Sequence, residues 1–316
     1  MLSERGAGKL PLRWLVIAAT VLAAGPVLAK RLYEYTDENG IRHFTDRPPA
    51  IDQPVKERLV RVDDSRMVTL RQGGPPEARE YYFTNHWHGP AGVTVELREA
   101  ANVVTDPPLP ATFVLPEPGE SHLVTVRQDN PYQASRFRLS YTSVPGDPGA
   151  RPDPKQRYRP PFRRGERFLV GQAFGGVVSH TDEQSFYAVD LGMPEGTPVL
   201  AARDGIVMHV EEDFFGAGLD AEKYASRANS VRVLHEDGTM AIYAHLALES
   251  VAVRPGRVVT AGELLGLSGN TGYSSGPHLH FAIQHNEAGK LRSLPFRFVT
   301  DGEEARTPKA GDWLRH

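Results

Sequence analysis

Histidine is the residue type that most directly suggests chemistry in this chain. Six of its twelve histidines fall between positions 180 and 280. Two of these, His278 and His280, stand two positions apart at the start of a strand-like run. Residues i and i+2 of a strand project from the same face, with Cα atoms roughly 6.6 Å apart. Two imidazoles so placed can serve one site, one of them on a metal ion and the other beside a metal-bound water.

A metal site of this kind needs further ligands. A hydrolytic zinc site uses three protein ligands and leaves a position open for water. His180 and Asp190 are the obvious companions for one of the paired histidines. Asp190 lies in an otherwise apolar run, where a carboxylate is costly to bury unless it is paired or bound to metal. The chain has no cysteine, which excludes thiolate ligands, a thiol nucleophile and disulfides.

Six strings of the second half of the chain together resemble the lysostaphin/LytM-type zinc metallopeptidases. The resemblance runs from about residue 171 to 298, roughly two-fifths of the sequence. The matching strings are Tyr187-Ala188-Val189-Asp190, Gly196-Thr197-Pro198-Val199, Ala201-Ala202-Arg203-Asp204-Gly205, Tyr243-Ala244-His245-Leu246, Gly269-Asn270-Thr271-Gly272 and Gly276-Pro277-His278-Leu279-His280-Phe281.

This resemblance implies a Zn²⁺ ion held by His180, Asp190 and His280. It also implies that His245 and His278 are an unligated catalytic pair. Zinc lowers the pKa of its bound water to near 7 and polarises the scissile carbonyl. A histidine beside it takes the proton of the water or stabilises the developing oxyanion. Which of the two histidines has which role stays open.

The first string departs from the family pattern. Nine residues separate His180 from Asp190, where relatives have three. Phe186 stands at the usual position of the first ligand and cannot bind metal, so His180 on a longer loop is the candidate. A second departure is the insertion at 211–228, which we expect to form a wall of the substrate groove.

The resemblance implies a peptidoglycan endopeptidase that cuts the peptide crosslinks, at the bond between D-alanine and meso-diaminopimelate. An alternative is a catalytically inactive relative that activates a cell-wall amidase. Such relatives lose metal ligands, whereas every required position is occupied here. A third hypothesis gives the main role to a β-sandwich domain that captures peptidoglycan or a cell-wall protein partner.

The N-terminus has the three-part layout of a secretory signal. Basic residues precede an apolar run at 14–24, and small residues end at Ala29. The expected result is cleavage after Ala29, export to the periplasm and no stable membrane span afterwards. An uncleaved anchor is the alternative, but Pro26 interrupts the run before the roughly 20 residues that a bilayer requires. The net charge of −3 argues against a nucleic-acid partner.

Elsewhere the chain predicts a mainly β fold in several units. Short β-type runs separated by Gly and Pro indicate an antiparallel β-sandwich domain followed by a β-rich LytM-type peptidase domain. The predicted units are a signal peptide (1–29), a short β-hairpin domain that resembles one found in exported proteobacterial proteins (30–52), a β-sandwich (57–144), a Pro-rich linker (145–165), the peptidase domain (166–300) and a polar tail (301–316).

The remaining histidines are expected to have ordinary roles. The string His86-Trp87-His88 has no aspartate-bearing partner string and is assigned to packing or surface. His209, His235 and His285 are expected to be surface or strand histidines without a catalytic role.

Overall fold

A computed structural model describes residues 29–36, 42–45, 54–61, 67–176, 178–224, 228–299 and 305–316. Across these ranges the chain is almost entirely β-structure, which confirms the predicted fold class. One short helix, α1 (Ala221–Tyr224), lies in the insertion. Among the described residues, no helix is long and apolar enough to cross a bilayer. The signal sequence lies outside the described residues, apart from Ala29.

The N-terminal unit is a three-stranded antiparallel sheet. Its strands are β1 (Ala29–Thr36), β2 (Arg42–Thr45) and β3 (Lys56–Arg61), in the order β2-β1-β3. The predicted hairpin is the pairing of β1 with β2, while its turn lies outside the described residues. Strand β3 falls largely in the range predicted for the β-sandwich, yet it pairs with β1 instead.

Two sheets face each other in the next unit. The strands are β4 (Val68–Gly73), β5 (Ala78–Asn85), β6 (Ala91–Ala101), β7 (Val103–Asp106), β8 (Ala111–Leu115), β9 (Gly119–Gln128) and β10 (Arg136–Pro145). One sheet has the order β4-β5-β9-β7 and the other β10-β6-β8. Alternate residues of both sheets, among them Phe83, Val93 and Val124, are fully buried in the shared core. Such two-sheet burial is that of an antiparallel sandwich.

The C-terminal unit is built on one large sheet. Its strands, in chain order, are β11 (Arg167–Gln172), β12 (Val189–Gly192), β13 (Pro198–Leu200), β14 (Gly205–Glu211), β15 (Ala217–Gly218), β16 (Ser230–Leu234), β17 (Met240–Ala244), β18 (Val258–Val259), β19 (Leu264–Leu267), β20 (Gly272–Tyr273), β21 (Leu279–Glu287), β22 (Lys290–Leu294), β23 (Phe298–Val299), β24 (Ala305–Arg306) and β25 (Trp313–Arg315). The large sheet has the order β18-β14-β16-β17-β21-β12-β11-β25, and β22 also pairs with β21.

Apolar side chains fill one face of this sheet and leave the other for polar groups. Tyr243 and Phe281 are fully buried in the core. Because successive residues of a strand point to opposite faces, the histidine that precedes Phe281 points to the other face of β21. The core therefore orients the histidine pair at the start of this strand.

Two segments of the C-terminal half pack more tightly than their composition suggests. Tyr158 and Phe162, in the stretch predicted to be a linker, are buried in the same core as the sheet. Strand β25, in the stretch predicted to be a polar tail, pairs with β11 and buries Leu314. In both segments the few apolar residues pack against the core. The overall polarity of each segment therefore did not predict whether it packs.

Candidate metal centre

Two adjacent strands and one loop bring the three expected ligands together. Asp190 on β12 is the register partner of His280 on β21, and His180 reaches them from the loop after β11. His280 Nδ1 lies 2.9 Å and His180 Nε2 lies 3.2 Å from Asp190 Oδ1. Ligand atoms of the three residues all lie within 4.8 Å of one another. The longer loop therefore does deliver His180 to the site.

The donor set fits a catalytic zinc ion. Two imidazoles and one carboxylate supply the three N and O ligands that such a site uses. His180 Nδ1 lies 3.1 Å from the carbonyl oxygen of Ala173, and a hydrogen bond donated there leaves Nε2 as the free ligand atom. His180 is fully buried and His280 partly buried. The site thus has an enclosed side and an open side.

The charges of the ligands support one another. Burial alone would raise the pKa of the Asp190 carboxyl, but hydrogen bonds from His180 and His280 outweigh it and hold that pKa well below its usual range. Burial by itself would lower the pKa of His180. The hydrogen bond to Asp190 outweighs this effect, so the pKa of His180 is raised above its usual value. The carboxylate is therefore ionised, as a metal ligand must be.

His245 and His278 lie beside the three ligands with their rings together. Their ring centroids are 4.5 Å apart. His245 Nδ1 lies 2.6 Å from the carbonyl oxygen of Thr271, and His278 Nδ1 lies 2.8 Å from that of Gly276. When each Nδ1–H donates to its carbonyl, both Nε2 atoms are left as acceptors. His278 Nε2 faces the site, 3.8 Å from Asp190 Oδ1.

Local backbone structure holds this pair in place. His245 has a positive φ of 65°, an uncommon conformation for a residue with a side chain. It follows directly after β17, whose last residue, Ala244, pairs with His280. Burial, helped by the nearby imidazoles of His278 and His280, lowers the pKa of His245 to about 3. His245 is therefore neutral at physiological pH.

Asp190, His245, His278 and His280 line a groove of about 1300 Å³, while His180 is buried behind them. The insertion contributes Leu219 and Ala228 to its lining, as expected for a groove wall. Helix α1 also lies within the insertion. Residues 307–310 of the C-terminal segment also line the groove, which the sequence did not indicate.

Two further groove residues were not singled out by their sequence. Gln172 Nε2 donates to Asp190 Oδ2 at 2.9 Å, on the side of the carboxylate away from the histidines. Arg232 lines the groove and donates to Gln284 Oε1 at 2.7 Å. Neither belongs to a recognisable string. Gln172 and Asp190 become neighbours only through the register of β11 and β12.

The other histidines lie apart from the ligand cluster. His86 Nε2 contacts the Thr69 hydroxyl, and the ring of His209 packs on Trp87. His235 and His285 are buried. None of these residues lines the groove.

Comparisons with known proteins agree with the geometry. Residues 184–290 match the model of Peptidase family M23, and residues 19–80 match a domain of unknown function, DUF4124. The M23 match begins just after His180, at the unusually long loop.

Named relatives match about a third of the chain. The chain is 37% identical over 94 residues to the peptidoglycan DD-endopeptidase ShyA of Vibrio cholerae, covering 30% of this chain and 19% of the relative. It is 35% identical over 120 residues to the glycyl-glycine endopeptidase ALE-1 of Staphylococcus capitis, covering 38% of this chain and 30% of that protein. The chain thus spans less than a third of the length of these curated relatives.

A solved structure with a similar segment is the catalytic domain of lysostaphin from Staphylococcus simulans. It is 26% identical, with a TM-score of 0.29, over 45% of this chain and 88% of the other. By its sequence match, the C-terminal unit of this chain contains a domain of peptidase family M23.

Proposed function

We propose that this chain is a zinc-dependent endopeptidase that hydrolyses peptide crosslinks in bacterial peptidoglycan. The observation that carries the proposal is one groove in which a His-Asp-His cluster lies beside two further histidines with free Nε2 atoms. His180, Asp190 and His280 would hold the zinc ion. The relatives include a peptidoglycan endopeptidase, which supports the choice of substrate.

The residues beside the ligands have the geometry of proton carriers. Zinc, when bound, supplies Lewis acidity at the scissile carbonyl. His245 and His278 both line the groove, and each ring is held by a hydrogen bond from Nδ1 to a backbone carbonyl. One would accept a proton from the attacking water on its Nε2 lone pair. The other would donate a hydrogen bond to the carbonyl oxygen in its protonated form, in which Nε2 carries a hydrogen. The backbone bonds keep both rings oriented during the reaction.

The finer assignments belong to the same proposal. We infer that the bond cut joins D-alanine to meso-diaminopimelate, and that the protein acts in the periplasm after cleavage of a signal peptide at Ala29. The β-sandwich would then contact peptidoglycan or a cell-wall protein partner. Mass spectrometry of the mature N-terminus and of digested muropeptides tests the first two inferences.

Zinc content and cleavage rate, measured on the same preparations, test the site. The variant His280→Ala should lose stoichiometric zinc. His245→Ala and His278→Ala should keep zinc and lose about 10²–10⁴ in rate. The exposed His86 offers a matched control, since His86→Ala should change neither quantity.

Three outcomes would contradict the proposal. Full zinc retention in His280→Ala would remove that ligand from the set. Loss of zinc in His278→Ala would exchange the roles of the two neighbouring histidines. If the zinc-loaded wild-type protein leaves crosslinks intact but stimulates an amidase, the activator hypothesis replaces the endopeptidase hypothesis.

A further inference from the structure

An arginine that has no acidic partner among the described residues lines the groove. Arg232 is in the middle of β16, between Val231 and Val233, which are fully buried in the core. Its side chain therefore points to the opposite face of the sheet, which is the face of the groove. Arg232 lines that groove together with Asp190 and His280.

The strand register gives its distance from the ligands. Arg232 pairs with Ile242, which pairs with Ala282, two residues along β21 from His280. Two strand spacings of about 4.8 Å and a two-residue rise of about 6.6 Å place the Cα atoms of Arg232 and His280 roughly 12 Å apart. An extended peptide covers that distance in about four residues.

Two neighbours hold the guanidinium in place without neutralising it. Nη1 donates to Gln284 Oε1 at 2.7 Å, and Gln284 in turn donates to the carbonyl oxygen of Gln184 at 2.9 Å. The guanidinium carbon lies 5.9 Å from the ring centroid of Trp87, which comes from the sandwich unit. A guanidinium has five N–H donors, and this is its single side-chain hydrogen bond among the described residues.

The acidic groups of the groove are engaged elsewhere. Asp190 accepts from its histidine neighbours and Gln172, and Asp182 accepts from its own loop at Gln184 and Ser185. Within the described ranges, no carboxylate forms an ion pair with Arg232. Burial lowers the pKa of Arg232 to about 10, so the side chain is still a cation at neutral pH. A partly buried cation without a counter-charge is costly, and a carboxylate ligand would offset that cost.

We propose that Arg232 forms a carboxylate-binding subsite, which selects peptide substrates with a free carboxylate within about four residues of the scissile bond. This rests on the proposed endopeptidase function and names the chemistry of its substrate. Planar pairing of a guanidinium with a carboxylate is bidentate and directional. The subsite therefore sets the register of the peptide in the groove as well as its charge.

Two synthetic crosslinked muropeptides test the subsite, one with free carboxylates and one with the same groups as carboxamides. The zinc-loaded wild-type protein should cleave the free form with a kcat/KM about 10- to 100-fold higher, mainly through KM. Arg232→Gln should lose this preference, and Arg232→Lys should retain part of it. Arg254→Gln, at an exposed arginine outside the groove, is the matched control and should keep the full preference.

A purely structural role, in which Arg232 only supports Trp87, gives a different result. In that case Arg232→Gln would lower the melting temperature and reduce the rate of cleavage of both peptides equally. Trp87→Leu would have the same two effects. The subsite instead requires Trp87→Leu to retain a preference for the free carboxylate. Equal cleavage of both peptides by the wild type would overturn the proposal.

Failure of the endopeptidase function can be told apart from failure of the subsite. If the wild type cleaves neither peptide, the proposed function is wrong. Calorimetric binding of the same two peptides to the zinc-loaded protein then decides the subsite. Tighter binding of the free form, lost in Arg232→Gln, supports it, and equal affinities overturn it.

Discussion

Gln172 is expected to strengthen zinc binding without touching the ion. Its Nε2 donates to Asp190 Oδ2 at 2.9 Å, leaving Oδ1 directed at His180 and His280. Its Oε1 accepts from the backbone N–H groups of Val178 and Ser179, at 3.1 and 3.3 Å. One side chain therefore connects the carboxylate ligand to the backbone just before His180.

The size of the effect follows from these contacts. Outer partners of metal ligands typically contribute about 10- to 100-fold to metal affinity, which corresponds to about 1.4–2.7 kcal/mol. Gln172 Nε2 also donates to the Ser179 hydroxyl at 2.7 Å. Gln172→Ala removes the bond to the carboxylate and all three bonds to Val178 and Ser179, so we expect a loss near the upper end. Gly176 lies so close to the Gln172 side chain that a Cβ there would overlap it. The position of this side chain therefore also depends on glycine at 176.

Competition with a chromogenic chelator measures the zinc Kd directly. Gln172→Glu keeps an oxygen that accepts from the backbone of Val178 and Ser179 but lacks the amide donor to Asp190. This variant therefore separates the effect of the backbone contacts from that of the contact with the carboxylate. Gln133→Ala, at an exposed glutamine of the sandwich, is the control and should leave the Kd unchanged. A Gln172→Ala protein with the wild-type Kd would refute the reasoning, because Asp190 and the loop would then be held without it.

Two further predictions concern stability. Burial lowers the pKa of His235 to about 4, and this residue is only 3% exposed. Because the unfolded state takes up the proton first, stability should fall by about 3 kcal/mol as the pH drops from about 6.5 to 4. Urea unfolding across this range should show a smaller fall in His235→Asn, and an identical fall would contradict the assignment. Phe162→Ala should cost about 3–5 kcal/mol, measured by urea unfolding, whereas Lys155→Ala should change stability by less than about 0.5 kcal/mol. If the Phe162→Ala protein is as stable as the wild type, residues 145–165 do not contribute to the core and act only as a linker.

The sequence by itself predicted the fold class and the identity of the clustered residues. His278 and His280 are close in sequence, so the two-residue period of a strand was enough to predict a shared site. Short β-type runs separated by Gly and Pro predicted the antiparallel sandwich, whose strands include β5, β6 and β9. These inferences succeed because strand periodicity is a local property of the chain.

The tertiary structure decided everything that depends on register and packing. Gln172 reaches Asp190 because β11 and β12 are paired, with a register shift just before Gln172. Arg232 is near His280 because β16, β17 and β21 are paired side by side. Their register aligns Arg232 with Ile242 and with Ala282, which is two residues from His280 on β21. Neither position has a local signature, since glutamine and arginine are common on exposed strand faces.

Segments judged by composition were the least predictable. The proline-rich stretch that contains Phe162 and the polar segment that contains Leu314 each bury apolar side chains against the large sheet. A few buried side chains can anchor a segment whose average composition is polar, because each buries its own apolar area regardless of its neighbours. Composition averages over a segment, whereas the free energy of packing depends on where individual side chains meet the core.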